Sequence, residues 1–219
     1  MLKFVATVRR LGHVSHEELI DVWKHKHAPH IVDLVRPERY RISFFDQPRE
    51  SDENSSEVPD GMAELWFKDM DHFDGSIGRG APPNIDADNF SKYGAIQKGC
   101  NLFTTEHLNV DGPTNESTTK LVFFVKRKDG IERAHFDDYW LNVHIPNVTS
   151  SIEKTSVAKR YTVDFVDRST ERTYDGIAQI YIDRAGATFS DIEGYEPDGF
   201  GELVKPMLVV TGHEVKIVE

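Results

Sequence analysis

Apolar residues follow two rhythms along this chain, one of period two and one of period 3.6, and the same succession of rhythms occurs twice. Runs rich in Val, Phe, Ile and Tyr at Lys3–Arg10, Arg39–Phe45, Gly61–Phe67 and Asn101–Val110 predict four strands in the first half. Between the first two, Ser15 with Glu18 three residues on marks a helix start of the capping-box kind. In the second half Phe136, Tyr139, Trp140 and Val143 stand at i, i+3, i+4 and i+7, one apolar helical stripe. Pro29 and Pro146 close these helices or start a new turn, because proline disfavours helix at the residue before it. A second helical stretch is expected before the last strand of each half.

The repetition extends to individual residues. Lys3-Phe4-Val5-Ala6-Thr7-Val8-Arg9-Arg10 lines up with Lys120-Leu121-Val122-Phe123-Phe124-Val125-Lys126-Arg127. Trp23-x-x-x-His27-x-Pro29 is matched by Trp140-x-x-x-His144-x-Pro146, and Arg39-Tyr40 by Arg160-Tyr161. Asp60-Gly61 opens one strand and Asp175-Gly176 its counterpart, while Phe103 to His107 pairs with Val209 to His213. Blocks recurring in one order indicate a tandem duplication. Each half then reads βαββαβ, an α+β fold whose antiparallel sheet carries both helices on one face, the ferredoxin-like arrangement. The expected limits are 1–111 for the first unit, 112–119 for a Gly/Pro/Ser linker and 120–219 for the second. The polar stretch 47–59 and the Gly/Pro-rich part of 74–98 are insertions that read as loops.

Composition narrows the function classes. A formal net charge of −11, with cations scattered among many acids, removes nucleic acid and anionic membranes from the expected partners. No segment approaches the roughly 18 apolar residues of a membrane span, and the N-terminus reads as a first strand rather than a secretion signal. Cys100 is the single cysteine, which excludes an intramolecular disulfide and points to a reducing, cytoplasmic setting.

Candidate chemistry centres on the repeated helix motif. Residues four apart on a helix share a face, so Trp23 with His27, and Trp140 with His144, look toward the sheet. A histidine titrates near neutrality and a phenol can donate to a carbonyl oxygen. The pairs His27–Tyr40 and His144–Tyr161 therefore suit proton transfer. A helix-terminal histidine bonded to a carbonyl is the plainer alternative. Arg39 and Arg160 could clamp a carboxylate or form interface ion pairs. Trp23, Trp140, Trp66 and Tyr181 could line a ligand pocket or simply fill the core. His25, His27 and His30 invite a metal reading, but His25 and His27 leave the helix on different sides and the second half has Asn142 and Asn147 instead. No metal is expected. Gly75-Ser76-Ile77-Gly78-Arg79-Gly80 lacks the ending of a phosphate loop and reads as a flexible loop.

The segment Phe136-Asp137-Asp138-Tyr139-Trp140-Leu141-Asn142-Val143-His144-Ile145-Pro146 resembles the helix motif of the EthD-like family of the dimeric α/β-barrel superfamily. Val22 to Pro29 is a second match, and the Arg-Tyr and Asp-Gly blocks also fit. The resemblance implies two ferredoxin-like units paired within the chain as a barrel-like pseudo-dimer, each with a pocket between sheet and helices. It implies an enzyme, read here as a cofactor-independent lyase or isomerase of a small aromatic, lactone or carbonyl compound, with a small apolar or aromatic ligand as partner. Methylmuconolactone isomerases resemble the chain in their helix histidine and strand tyrosine, but their cysteine has no clear match. The alternatives are a cofactor-free or haem-dependent oxygenase and a non-catalytic ligand-binding protein. The macromolecular partner left open is a second copy of the tandem chain, as a homodimer.

Overall fold

The structure, a computed structural model, describes residues 1–46, 58–78, 84–115, 117–156, 158–167, 173–192 and 196–219. It is an α+β fold in two compact units: residues 1–104 with 214–219, and residues 105–213. Among the described residues, no helix is long and apolar enough to cross a membrane.

In the first unit, β1 (Leu2–Arg10) is followed by α1 (His16–Val22), a π-helical turn (Trp23–His27) and α2 (Ala28–Val35). Then come β2 (Arg39–Phe45), β3 (Gly61–Phe67), the short α3 (Met70–Phe73) and the start of β4 (Gly94–Val110). Hydrogen bonding orders the antiparallel sheet β4-β1-β3-β2. The second unit repeats the plan with β5 (Thr119–Val125), α4 (Arg133–Tyr139), a π-helical turn (Trp140–His144), α5 (Ile145–Thr155), β6 (Ala158–Val166), β7 (Gly176–Ile182) and β8 (Leu208–Val218). Its order is β8-β5-β7-β6.

Local chemistry explains the main features. Ser15 caps α1 by accepting from the Glu18 N–H, as its spacing predicts. The prolines do not close the helices. They open α2 and α5, and the helical run passes through a widened turn in which the Ala28 N–H bonds the Trp23 carbonyl and the Ile145 N–H bonds the Trp140 carbonyl. A proline lacks an N–H and its ring crowds the carbonyl four residues back. The i→i+5 turn relieves that conflict.

Three further expectations change. The fourth strand begins at Gly94 instead of Asn101, because β1 keeps pairing through Val8↔Ile96 to Arg10↔Gly94 after a register break, and Cys100 therefore lies inside it. The expected second helix of the second unit is absent among the described residues, where 3₁₀ turns at Phe189–Asp191 and Phe200–Glu202 replace it. That segment carries Gly186, Gly194, Pro197, Gly199, Gly201 and Pro206, too many breakers for a helix. The glycine-rich run read as a flexible loop is helical in its described part. Asp69 caps α3, and Ser76 donates to the His72 and Phe73 carbonyls within the π-helical Asp74–Gly78. The polar stretch 47–59 lies outside the described residues apart from Val58 and Pro59.

Strand alternation gives each sheet two different faces. One packs on the helical run through residues such as Leu19, Trp23, Tyr40 and Leu65 in the first unit and Phe136, Trp140, Tyr161 and Ile180 in the second. The opposite face is buried but polar: Lys3 pairs with Glu64 at 2.8 Å, both 1% exposed, and Lys3 Nζ lies 4.6 Å from the Trp66 ring. In the second unit Lys120 lies 5.2 Å over the Tyr181 ring, and Gln179 Nε2 donates to Asp164 Oδ2 at 2.7 Å.

Candidate functional site

The π-helical turn delivers each histidine to a partner from the loop before the last strand. His27 Nδ1 lies 2.9 Å from Asp88 Oδ2, and His144 Nδ1 lies 2.8 Å from Asp198 Oδ2. Each ring also stacks on a phenylalanine two residues beyond that aspartate: His27 on Phe90 at 3.9 Å and 9°, His144 on Phe200 at 3.9 Å and 11°. The aspartates are themselves held by their loops, since Asp88 Oδ1 accepts from the Phe90 N–H and Asp198 Oδ1 from the Phe200 N–H. Between aspartate and phenylalanine sits a residue in the left-handed region, Asn89 at φ 60° and Gly199 at φ 90°, the residue types that tolerate it. Sequence reasoning missed Asp88, Phe90, Asp198 and Phe200. The recurring Asp-Asn-Phe and Asp-Gly-Phe were the available signal.

Electrostatics fixes the state of the imidazoles. Burial lowers the pKa of both histidines, and the bond and charge of Asp88 or Asp198 offset this only in part. The rings are therefore neutral at pH 7. A carboxylate facing Nδ1 selects the Nδ1–H tautomer and makes Nε2 the basic nitrogen. Asp198 stays ionised although burial opposes it, because the bonds from Asn147, the Phe200 N–H and His144 hold its pKa below the usual carboxylate value.

The glycine of each Asp-Gly block has a packing reason. A Cβ on Gly61 would lie 2.9 Å from Trp23 Cζ3, and one on Gly176 would lie 2.5 Å from Trp140 Cζ3. Each indole thus lies flush on the backbone of β3 or β7. The aspartates anchor the end of the first strand: Asp60 accepts from the Arg10 N–H at 2.8 Å and its Nη1 at 2.6 Å, and Asp175 accepts from the Arg127 N–H at 3.0 Å and Arg133 Nη1 at 3.0 Å. Arg10 and Arg127 are therefore structural clamps.

The copies differ beside the histidine. In the first unit Trp23 Nε1 donates to the Tyr40 hydroxyl at 3.2 Å, and burial raises the Tyr40 pKa. In the second unit Trp140 Nε1 is buried with no acceptor among the described residues. A cavity of about 180 Å³ lies in the same unit, with Trp140, His144 and Tyr161 joined on its wall by Phe123, Ile180 and Phe200. The structure thus brings Trp140, His144 and Tyr161 to one cavity.

The remaining predicted residues go elsewhere. Arg39 faces Trp66 across β2 and β3, and Arg160 faces Tyr181 across β6 and β7, so all four stand on the sheet face opposite the histidines. Arg160 Nη1 lies 3.4 Å from Asp111. His25 projects into solvent beside Asp21, and His30 Nε2 lies 2.7 Å from the Asn84 carbonyl. His107 packs on the Phe165 ring at 5.2 Å, and His213 is exposed.

Comparison with known proteins agrees with this organisation. A family model described as the EthD domain matches residues 12–81 and 128–194, one segment in each half. No curated protein sequence matches the chain. Among solved structures, the chain is similar to a protein from Fusobacterium nucleatum subsp. nucleatum ATCC 25586 named provisionally as a monooxygenase, at 7% identity and a TM-score of 0.59, over 97% of this chain and 91% of that one. It is also similar to a doubly substituted chlorite dismutase from Candidatus Nitrospira defluvii, at 8% identity and a TM-score of 0.57, over 99% and 92%. Likeness at such identity is one of fold alone.

Proposed function

The chain belongs to the EthD-domain family of the dimeric α/β-barrel superfamily, and from that premise we propose that it is a cofactor-independent lyase or isomerase of a small aromatic, lactone or carbonyl compound. The strand orders β4-β1-β3-β2 and β8-β5-β7-β6 support reading each unit as ferredoxin-like. The observation that carries the chemical reading is the oriented, neutral His144 on the wall of an apolar cavity that Tyr161 also lines. His144 Nε2 takes a proton from the carbon beside a carbonyl, and the electron pair moves onto oxygen, where the Tyr161 hydroxyl stabilises it. Returning the proton to another carbon gives an isomer, and expelling a leaving group gives the lyase outcome. His27 and Tyr40 are the corresponding pair of the first unit.

The test needs no known substrate. Cyclic enones, aryl ketones and butenolides are incubated with the protein in D₂O, and deuterium uptake next to the carbonyl is followed by NMR. Exchange that falls by about 10²–10⁴ in His144→Gln, with a loss in Tyr161→Phe, supports the assignment. Exchange that survives replacement of both His27 and His144 refutes it.

A second reading, an oxygenase, is favoured by the monooxygenase and chlorite dismutase names among the similar structures. For a haem-dependent version, the second-unit cavity, at about 180 Å³, is on the scale of a single ring. That cavity does not fit a macrocycle. A Soret band in the freshly purified protein would refute the cofactor-free reading.

A further inference from the structure

The two copies of the site are not equivalent, and the difference names the ligand. In the first unit the indole N–H of Trp23 is satisfied internally by the Tyr40 hydroxyl. In the second, the Trp140 side chain is 0% exposed, its N–H has no acceptor among the described residues, and Trp140 lines the cavity with Phe123, Val148, Ile180 and Phe200. An indole N–H donates only, and a buried donor left unpaired is unfavourable by enough to change a binding constant roughly tenfold. The group that removes this penalty has to be an acceptor entering the cavity. The wall is otherwise apolar, and a cavity of about 180 Å³ is on the scale of the roughly 150 Å³ that accommodates a benzene ring.

We infer that the second unit is the ligand-binding copy, and that its ligand is a single-ring compound whose carbonyl oxygen accepts from Trp140 Nε1. Trp140 is thereby a specificity-determining residue that the first unit cannot reproduce, because Tyr40 occupies the donor of Trp23. The inference rests on the proposed His144–Tyr161 chemistry only in placing the same oxygen beside Tyr161. Binding through Trp140 requires no turnover.

The experiment uses the full chain with ¹⁵N-labelled indoles. Acetophenone is the probe, and ethylbenzene, of similar shape without an acceptor, is the comparison. The three indole N–H resonances are assigned from Trp23→Phe and Trp66→Phe variants, leaving Trp140 by elimination even if Trp140→Phe fails to fold. Acetophenone is expected to move the Trp140 resonance downfield and to bind at least about tenfold more tightly than ethylbenzene. Where Trp140→Phe folds, that preference disappears. A shift centred on Trp23, no shift at Trp140, or equal affinity for the two probes overturns the inference. Deuterium exchange into carbonyl compounds without movement of the Trp140 resonance overturns it and spares the catalytic reading. Movement of that resonance without exchange in any carbonyl compound does the reverse.

Discussion

Replacing Asp198 by asparagine separates the two things the carboxylate does for His144. The side chains are nearly the same shape, so the loop is retained, but the charge goes and one oxygen becomes an NH₂ group. In the native protein Oδ2 lies 2.8 Å from His144 Nδ1 and 3.0 Å from Asn147 Nδ2, while Oδ1 accepts from the Phe200 N–H at 2.9 Å. A single amide oxygen cannot serve both sides of this arrangement. With the oxygen kept on Phe200, the NH₂ group faces Nδ1 and forces that nitrogen to become the acceptor. Loss of a hydrogen bond to a charged group costs about 1.5–3 kcal/mol, which urea unfolding reads directly. The imidazole responds in a defined direction. Burial already lowers its pKa, and Asp198 is the cause opposing that fall. Removing the opposition lowers the midpoint further and transfers the proton from Nδ1 to Nε2. Long-range ¹H–¹⁵N spectra of ring-labelled histidine, recorded from about pH 4 to 8, report midpoint and tautomer together. If Nε2 is the catalytic base, deuterium exchange falls even though the ring is more fully neutral. A midpoint that rises, or an unchanged Nδ1–H tautomer with unchanged stability, refutes the reasoning.

Other expectations follow from the packing and the ion pairs. Gly176→Ala brings a Cβ within 2.5 Å of Trp140 Cζ3 and 2.8 Å of the Asp164 carbonyl, so overpacking should cost about 1–3 kcal/mol in urea unfolding; an unchanged midpoint would contradict the close approach. Asp175→Ala leaves Arg127 and Arg133 without their shared, 3%-exposed acceptor. It should cost about 3–5 kcal/mol in denaturant unfolding, and a loss no larger than the about 0–1 kcal/mol of a surface pair would refute the clamp. His27 and His144 have pKa values lowered by burial, so below the unfolded value of about 6.5 the unfolded chain binds more protons. Stability should therefore rise with pH from their folded midpoints to about 6.5 and level off above it. Thermal melts should show this slope flattened in the His27→Gln, His144→Gln double variant, and an equal slope in that variant would refute the assignment.

What was legible in the sequence was whatever depends on local pattern or on comparing one half with the other. The limits of β2 and β3 follow from alternating apolar residues bounded by Arg39 and Gly61, and the α1 cap from Ser15 with Glu18. The Trp–His–Pro repeat marked the helix that carries the histidines, although the period alone could not show that a widened turn lets the helix pass Pro29 and Pro146. The aspartates were illegible for a different reason. Asp88 and Asp198 meet residues 61 and 54 positions earlier, from loops whose Gly, Pro and Asn content says only that the chain turns. Comparing the halves does recover them, because Asp-x-Phe with Asn89 or Gly199 between encodes the same left-handed kink. Duplication cannot reveal how the copies have parted. Trp23 and Trp140 occupy matching places and both lie on a glycine, yet one N–H is bonded to a tyrosine and the other has no acceptor among the described residues. The sequence motif placed both rings correctly. The contact that separates the copies, the Trp23 Nε1 bond to the Tyr40 hydroxyl, leaves no mark in the sequence, because Tyr161 stands at the matching place.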